Sequence, residues 1–353
     1  MKKGVFCVLV CMLMMFTTVA LVSANTLSKT TSHPQIMGNI LYVGGTGPNN
    51  YTKIQDAVND SFDGDTVFVY ADSSPYYEKI IIEKSITLTG EDSKTTVIYG
   101  GAHRNASVLL QADGITVQRF TIGHSFQGIR IESNNNIIKE NIITATTEGI
   151  YLFKACVNKI EDNIFSNNSW GIYDSSIGGN VISGNIITCN SADGILLGSS
   201  GTVVSFNTIS ENGQDGISVY GDNNIIQLNN IIDNQVFGVG IWNSKKNSIL
   251  QNNIYNNQKG DANMAVDLWM ILPERPFDHT WDENYWGRPY QFSKVVLGMK
   301  FLILPSLILQ WFLYNVLQKQ HTVPAATIYI PVLKFDWHPA QEPYDILEVY
   351  SEE

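Results

Sequence analysis

The chain has 353 residues, 44% of them hydrophobic and only 16% charged, with 28 glycines and a formal net charge of −11. It is longer than one ordinary domain and carries enough apolar content for a large core. An acidic surface repels phosphate backbones, which argues against nucleic acid as a partner.

At the start, Lys2 and Lys3 precede an apolar run from Gly4 to Val22 and the small-residue site Val22-Ser23-Ala24. This is the pattern of a signal peptide over 1–24, with an uncleaved anchor as the alternative, and it predicts a secreted or cell-surface protein. Residues 25–40 read as a linker. Cys7 and Cys11 leave with the leader, so only Cys156 and Cys189 remain. Sequons stand at Asn50, Asn59, Asn105 and Asn167, in a chain whose asparagine content also produces such matches by chance.

Residues 41–64 read as an N-terminal cap. Thr52-Lys-Ile-Gln55 matches a capping box, and Ile54, Ala57, Val58 and Phe62 recur at helical spacing, so a cap helix is predicted over 52–62. From about 65 to about 260 the chain becomes periodic. Gly precedes an aliphatic residue at Gly128, Gly149, Gly171, Gly194, Gly216 and Gly238. Parallel columns hold Ile138, Ile160, Ile182, Val204, Ile226 and Ile249, and Ile143, Phe165, Ile187, Ile209, Ile231 and Ile254. An Asn lies two residues before each member of the last column, from Asn141 to Asn252.

Three short β-type runs per period of about 22 residues are too short for a propeller blade and lack helical spacing. The fold class is therefore all-β: a right-handed parallel β-helix solenoid, with aliphatic columns inward and Asn columns laddered at the bends. Counted from the Gly of each coil, Cys156 and Cys189 fall on opposite corners, so two unbridged thiols are predicted.

In the strand after each Gly, the second and fourth positions should face solvent. They include Arg130, Tyr151, Phe153, Tyr173, Tyr220 and Trp242. Rings at coil spacing suit stacking on pyranose faces, which makes Tyr151, Phe153, Tyr173, Tyr220 and Trp242 the candidate carbohydrate-binding strip and a polysaccharide or glycan the candidate partner. Beside it, the position before each Gly reads Gln127, Glu148, Trp170, Asp193, Asp215 and Phe237. Asp193 and Asp215 lie in adjacent coils. Such a pair can hold Ca²⁺, raise one pKa or serve as the carboxylates of a glycoside hydrolase with Glu148 as helper, or it can be a solvated Asp-Gly turn. Asp174 stands where neighbouring coils place Leu152, Leu197 and Val219, so either it is buried with a partner or the strand ends early there, and the early end is the expectation.

Residues 261–353 leave the period and read as a C-terminal cap. His279 and His338, with Asp278, Asp282 and Asp336 near in sequence, are the candidate metal ligands, although their spacing matches no ligand motif. The uncharged run 301–317 is marginal in length for a membrane span and reads either as a membrane contact or as a buried cap element.

The opening LYVGGTG, YTKIQDAVND and GDTVFVYA, the Asn-Ile/Gly-Ile coils, and the closing WDENYWGRP and DWHPAQEPYDI together resemble the NosD-like, pectin-lyase-like group of secreted or surface β-helix proteins, chiefly archaeal. The resemblance spans most of residues 41–347 and implies the β-helix fold. From the group's namesake, an accessory protein of copper-site assembly, it implies Cu as a cofactor. From other proteins of the fold it implies polysaccharide lyase or hydrolase activity. The expectation is an exported β-helix that binds carbohydrate along the aromatic strip, with a carbohydrate-active enzyme and a metal accessory protein as alternatives.

Overall fold

A column of identical residues at constant spacing is stable only if each copy lies over the last. In the computed structural model, which describes residues 38–101, 105–268, 278–288, 294–304 and 326–346, they do. Lys159–Glu161 pairs in parallel with Val181–Ser183, and that strand with Val203–Ser205, so Ile160, Ile182 and Val204 form one file. About ten turns of about 22 residues build the solenoid. The proposed leader, most of the linker and most of 301–317 fall outside the described residues; 301–304 is part of a strand, Lys294–Leu304. Among the described residues, no helix is long and apolar enough to cross a membrane.

Three strand stacks make the walls. The first runs from Ile40–Val43 through Ile137–Lys139 to Thr280–Asp282. The second contains Val97–Tyr99, the start of the strand Ile142–Phe153, and Asn253–Tyr255. The third contains the end of Ile142–Phe153, then Trp170–Ser175, Ile195–Leu197, Ile217–Val219 and Phe237–Trp242. The stack thus exceeds the expected bounds of 65 and 260 at both ends. Gly260–Leu268 continues the third wall, and Trp281 takes the inward file below Ile249.

The Gly column is steric. A Cβ at Gly128, Gly171 or Gly238 would stand 2.6 Å from the carbonyl oxygen of the next coil, closer than packed atoms allow.

Asn ladders occupy the corners. Asn141, Asn163, Asn185, Asn207, Asn229, Asn252 and Asn284 are at most 1% exposed. From Asn163 on, each amide oxygen accepts the backbone N–H and the side-chain NH₂ of the Asn one coil earlier, at 2.9–3.1 Å, and Asn141 Oδ1 accepts the Phe120 amide at 3.1 Å. The residue just before the ladder Asn is left-handed, as at Asp162, Asn167 and Val157, with φ of 56°, 57° and 57°. That conformation suits Asn but is costly for a β-branched side chain. Val157 is 41% exposed and packs little. Val157→Asn is therefore expected to stabilise the fold by about 1 kcal/mol, raising the thermal midpoint by roughly 2 °C; a lower midpoint by calorimetry would count against this account.

Two expectations are corrected. The helix (α1) spans only Ile54–Asp60, with Lys53 at its N-cap and no side-chain cap. The carboxylate of Glu78, in a neighbouring segment, accepts from the Ile54 and Gln55 amides at 3.0 Å instead. Gln55 donates to Ile81 O and accepts from Ile81 N, and Phe62 is 74% exposed. The capping box therefore does not form, because a stronger acceptor arrives from a distant segment.

Asp174 does not end its strand: it is fully buried within Trp170–Ser175. It accepts from the Ser176 amide, Asn180 Nδ2, Ser199 Oγ and Thr202 Oγ1. Thr202 is the position where this corner's file of Asn136, Asn158, Asn180, Asn224 and Asn247 lacks its amide. A buried acid in one column thus compensates for the missing acceptor in another.

Candidate functional site

The candidate site lies on the outer face of the third stack. Strand register places Glu148 beside Trp170, and Gly171, Gly194 and Gly216 each donate to the next coil's Asp193, Asp215 and Phe237 carbonyl. The side chains therefore succeed one another along the axis at about 4.8 Å per coil. Glu148 is two coils from Asp193, with Trp170 between them, so the structure pairs Asp193 with Asp215 and leaves Glu148 apart.

The pair is not a solvated turn. Asp193 is 6% and Asp215 4% exposed. The Asp215 amide donates to Asp193 Oδ1 at 3.0 Å, and the Phe237 amide to Asp215 Oδ1 at 3.1 Å. Ser218 Oγ donates to Asp215 Oδ2 at 2.8 Å. Burial, then the neighbouring Asp215 charge, pushes Asp193 up to about 6, against the opposing pull of the Asp215 amide, Ser218 and Trp170. Burial also raises Asp215, opposed by Ser218, the Phe237 amide, Trp242 and Lys259. Trp242 Nε1 does not meet the alignment of a hydrogen bond, yet its N–H lies close enough to favour the ionised carboxylate. Gly240 makes this possible: a Cβ there would collide with Asp215 Oδ2 and stand 2.9 Å from Trp242 Nε1.

The five predicted rings all reach the outer face, in two clusters. Tyr151 and Tyr173 meet edge-on at 5.3 Å, Tyr151 stacks with Phe153 at 5.9 Å, and Trp170 joins Tyr173 at 6.2 Å. The Arg130 guanidinium lies over Tyr151 and Phe153 at 5.1 and 5.0 Å, with its Nε held by Glu132 at 2.6 Å. Two coils beyond Tyr173, Tyr220 stacks with Trp242 at 6.4 Å. Between the clusters the outermost row carries only Ser175 and Gly198, so the face is notched beside Asp193. Tyr220 is 49% exposed, and burial with the two Asp charges raises its hydroxyl pKa.

Glu148 accepts from Gln127 Nε2 at 2.7 Å, and burial raises its pKa. Trp170 and Ser218 belong to the site but were not singled out from sequence. Trp170 shares the column of the acids, and that column was the available signal. Ser218 was expected in solvent and is 3% exposed.

The candidate metal residues are placed otherwise. His279 is 5% exposed and ends the corner file of Asn136 to Asn247, its Nδ1 accepting the Asn247 amide at 3.2 Å. That lone pair is thereby engaged in the ladder. His338 is exposed and meets Asp282 Oδ1 at 2.8 Å. Cys156 and Cys189 are thiols, as expected. Among the described residues, no group of three or more His, Cys, Asp or Glu side chains could hold a metal. These residues do not fit a copper centre, which needs several soft or imidazole donors in one place.

A family profile described as "Periplasmic copper-binding protein (NosD)" matches residues 58–290, more than half of the chain. No curated protein matches. Among solved structures, an alginate lyase from Paenibacillus sp. str. FPU-7 superposes with a TM-score of 0.54 at 17% identity, over 70% of this chain and 95% of that one. The Dettilon tailspike protein (gp208) gives 0.51 at 13% identity, over 76% of this chain and 73% of that one. At such identities the likeness is one of fold.

Proposed function

The chain belongs to the NosD family, and from that premise we propose that it is an exported protein that binds polysaccharide along the aromatic face of the third stack. The carrying observation is the pair of ring clusters on a flat, in-register wall, separated by the notch at Ser175 and Gly198. Parallel walls repeat every 4.8 Å or so, close to the length of one sugar unit, so rings on successive coils can meet successive pyranose faces. The fold shared with an alginate lyase supports a polymeric ligand.

Tyr220→Ala combined with Trp242→Ala is expected to weaken retention on immobilised polysaccharide by roughly tenfold, through loss of two stacking faces at about 1 kcal/mol each. Equal retention of variant and parent across neutral and acidic polysaccharides would reject the strip.

One observation favours a second reading, hydrolysis. An acid held at about 6 is partly protonated near neutrality and can donate that proton to a glycosidic oxygen, while a second carboxylate stands one coil away. Asp193→Asn separates the two: reducing-sugar release that it abolishes while binding persists marks an enzyme, and no release by the parent chain leaves a binding protein.

A further inference from the structure

A second aromatic recess lies where the second stack turns into the third in the early coils. Tyr77 comes from one coil, Tyr99 from the next, His124 and Phe126 from the third, and Ala145 and Thr147 from the fourth, around a volume of about 570 Å³. The Tyr77 and Tyr99 rings are 5.7 Å apart, and His124 stands edge-on to Tyr99 at 4.4 Å. Tyr77 is 76% and Phe126 38% exposed, so these rings are presented to solvent.

The recess exists because the corner is built differently here. His124 and Ala145 take the left-handed position, with φ of 53° and 55°, and Ser125 and Thr146 follow where later coils carry Asn. A Cβ at Gly100 would stand 2.6 Å from Ser107 Cα, so the absence of side chains lets the strands close beneath the rings. Ser107 Oγ donates to Ser125 Oγ at 2.8 Å, and Ser125 Oγ to Gln127 O at 2.7 Å, which fixes the floor.

Its chemistry selects a ligand. Apart from the imidazole of His124, the described lining holds no Asp, Glu, Lys or Arg side chain, so among the described lining residues an anionic sugar finds no Lys or Arg to pair with. Apolar ring faces with a polar rim of tyrosine hydroxyls, imidazole and Thr147 suit a flat molecule with apolar faces and hydroxyl edges. The volume falls within the roughly 300–1,000 Å³ of small-molecule sites. Phe126 and Thr147 immediately precede Gln127 and Glu148, so the recess opens beside the first row of the strip. We propose that it is a separate subsite for one neutral pyranose unit. The ligand class rests on the glycan reading above; the residues do not overlap with those of the strip.

Saturation-transfer NMR with methyl β-D-glucoside, methyl β-D-galactoside and methyl α-D-mannoside tests it on the full chain. Ala145→Trp fills the recess while keeping every ring, and Phe126→Ala removes one face. Transfer to at least one glycoside is expected to fall roughly fivefold in both variants and to stay within about twofold of the parent in Val157→Asn, which touches neither the recess nor the strip. Unchanged transfer in both recess variants, an equal loss in Val157→Asn, or no transfer from the parent to any of the three overturns the subsite, and none of these outcomes touches the polysaccharide-retention test of the strip. Circular dichroism checks folding, and Tyr77→Ala, at the most exposed ring, replaces a variant that misfolds.

Discussion

Asp336→Ala is expected to destabilise the protein by about 3–5 kcal/mol, read as a lower urea midpoint. The reason is the direction of the Asn ladder. Each amide oxygen accepts from the coil before it, so the donors left without a partner gather at the last coil. There Asn284 N, Asn284 Nδ2 and Trp286 Nε1 all donate to Asp336 Oδ2, at 3.0, 3.2 and 3.0 Å. Asp336 is fully buried, so water does not replace it. Removing the carboxylate leaves the Asn284 amide and Trp286 Nε1 unmatched, at about 1–3 kcal/mol for each group left without an acceptor, while Asn284 Nδ2 keeps the Ile249 and Asp282 carbonyls. Asp336→Asn keeps an acceptor oxygen but adds two donors, so its cost should be intermediate. Equal midpoints for Asp336→Ala and the parent would refute the ladder account.

The second large effect is a pH dependence carried by Asp193. Its carboxyl ionises near 3.8 when unfolded and at about 6 in the folded chain. Below the lower value it is protonated in both states and the difference contributes nothing. Above about 6 it is ionised in both, and the folded protein bears the full cost, about 3 kcal/mol for a difference of this size. The folded state binds the extra proton between those values, so this site's contribution makes stability fall as pH rises through that window. Asp193→Asn retains an oxygen for the Asp215 amide and removes the charge. Denaturation at pH 4.5 and pH 7.5 should therefore show a shallower loss for the variant than for the parent, and a variant more stable than the parent at the higher pH. Glu148, Asp215 and Asp261 are raised in the same direction by burial, so the variant's slope shrinks without vanishing. Parallel slopes would mean that Asp193 is ionised in the folded protein throughout.

The regular coils were legible because a solenoid writes its packing into the sequence as a period: Ile160, Ile182 and Val204 lie in register as their spacing requires. The five rings reached the outer face for the same reason, since strand alternation is fixed once the Gly column is aligned. Burial at the edge of that face was not legible. Whether Asp193 and Asp215 meet water depends on the rings of neighbouring coils, such as Trp170 and Trp242, which no single column reveals. Asp174 was misread because its partners Ser199 and Thr202 lie in the next coil, in different columns. His279 reads as a candidate metal ligand and Asp336 as one of the acids near it, and their roles as ladder ends are hidden because each ends a ladder after a break in the period. The recess at Tyr99 and His124 was concealed because its members, although a coil apart as at Tyr77 and Tyr99, precede Gly128, where the aligned columns begin.

The one-way sense of the ladders also bears on how the molecule is made. A chain leaving the ribosome lays down its coils in order, and each new turn supplies the oxygens that the turn before it lacks. Growth is thus self-sealing at every step but the last, where carboxylates at Asp261 and Asp336 and the ring nitrogen of His279 close the three corners. A nascent chain halted short of them would present a row of bare amide hydrogens to its surroundings.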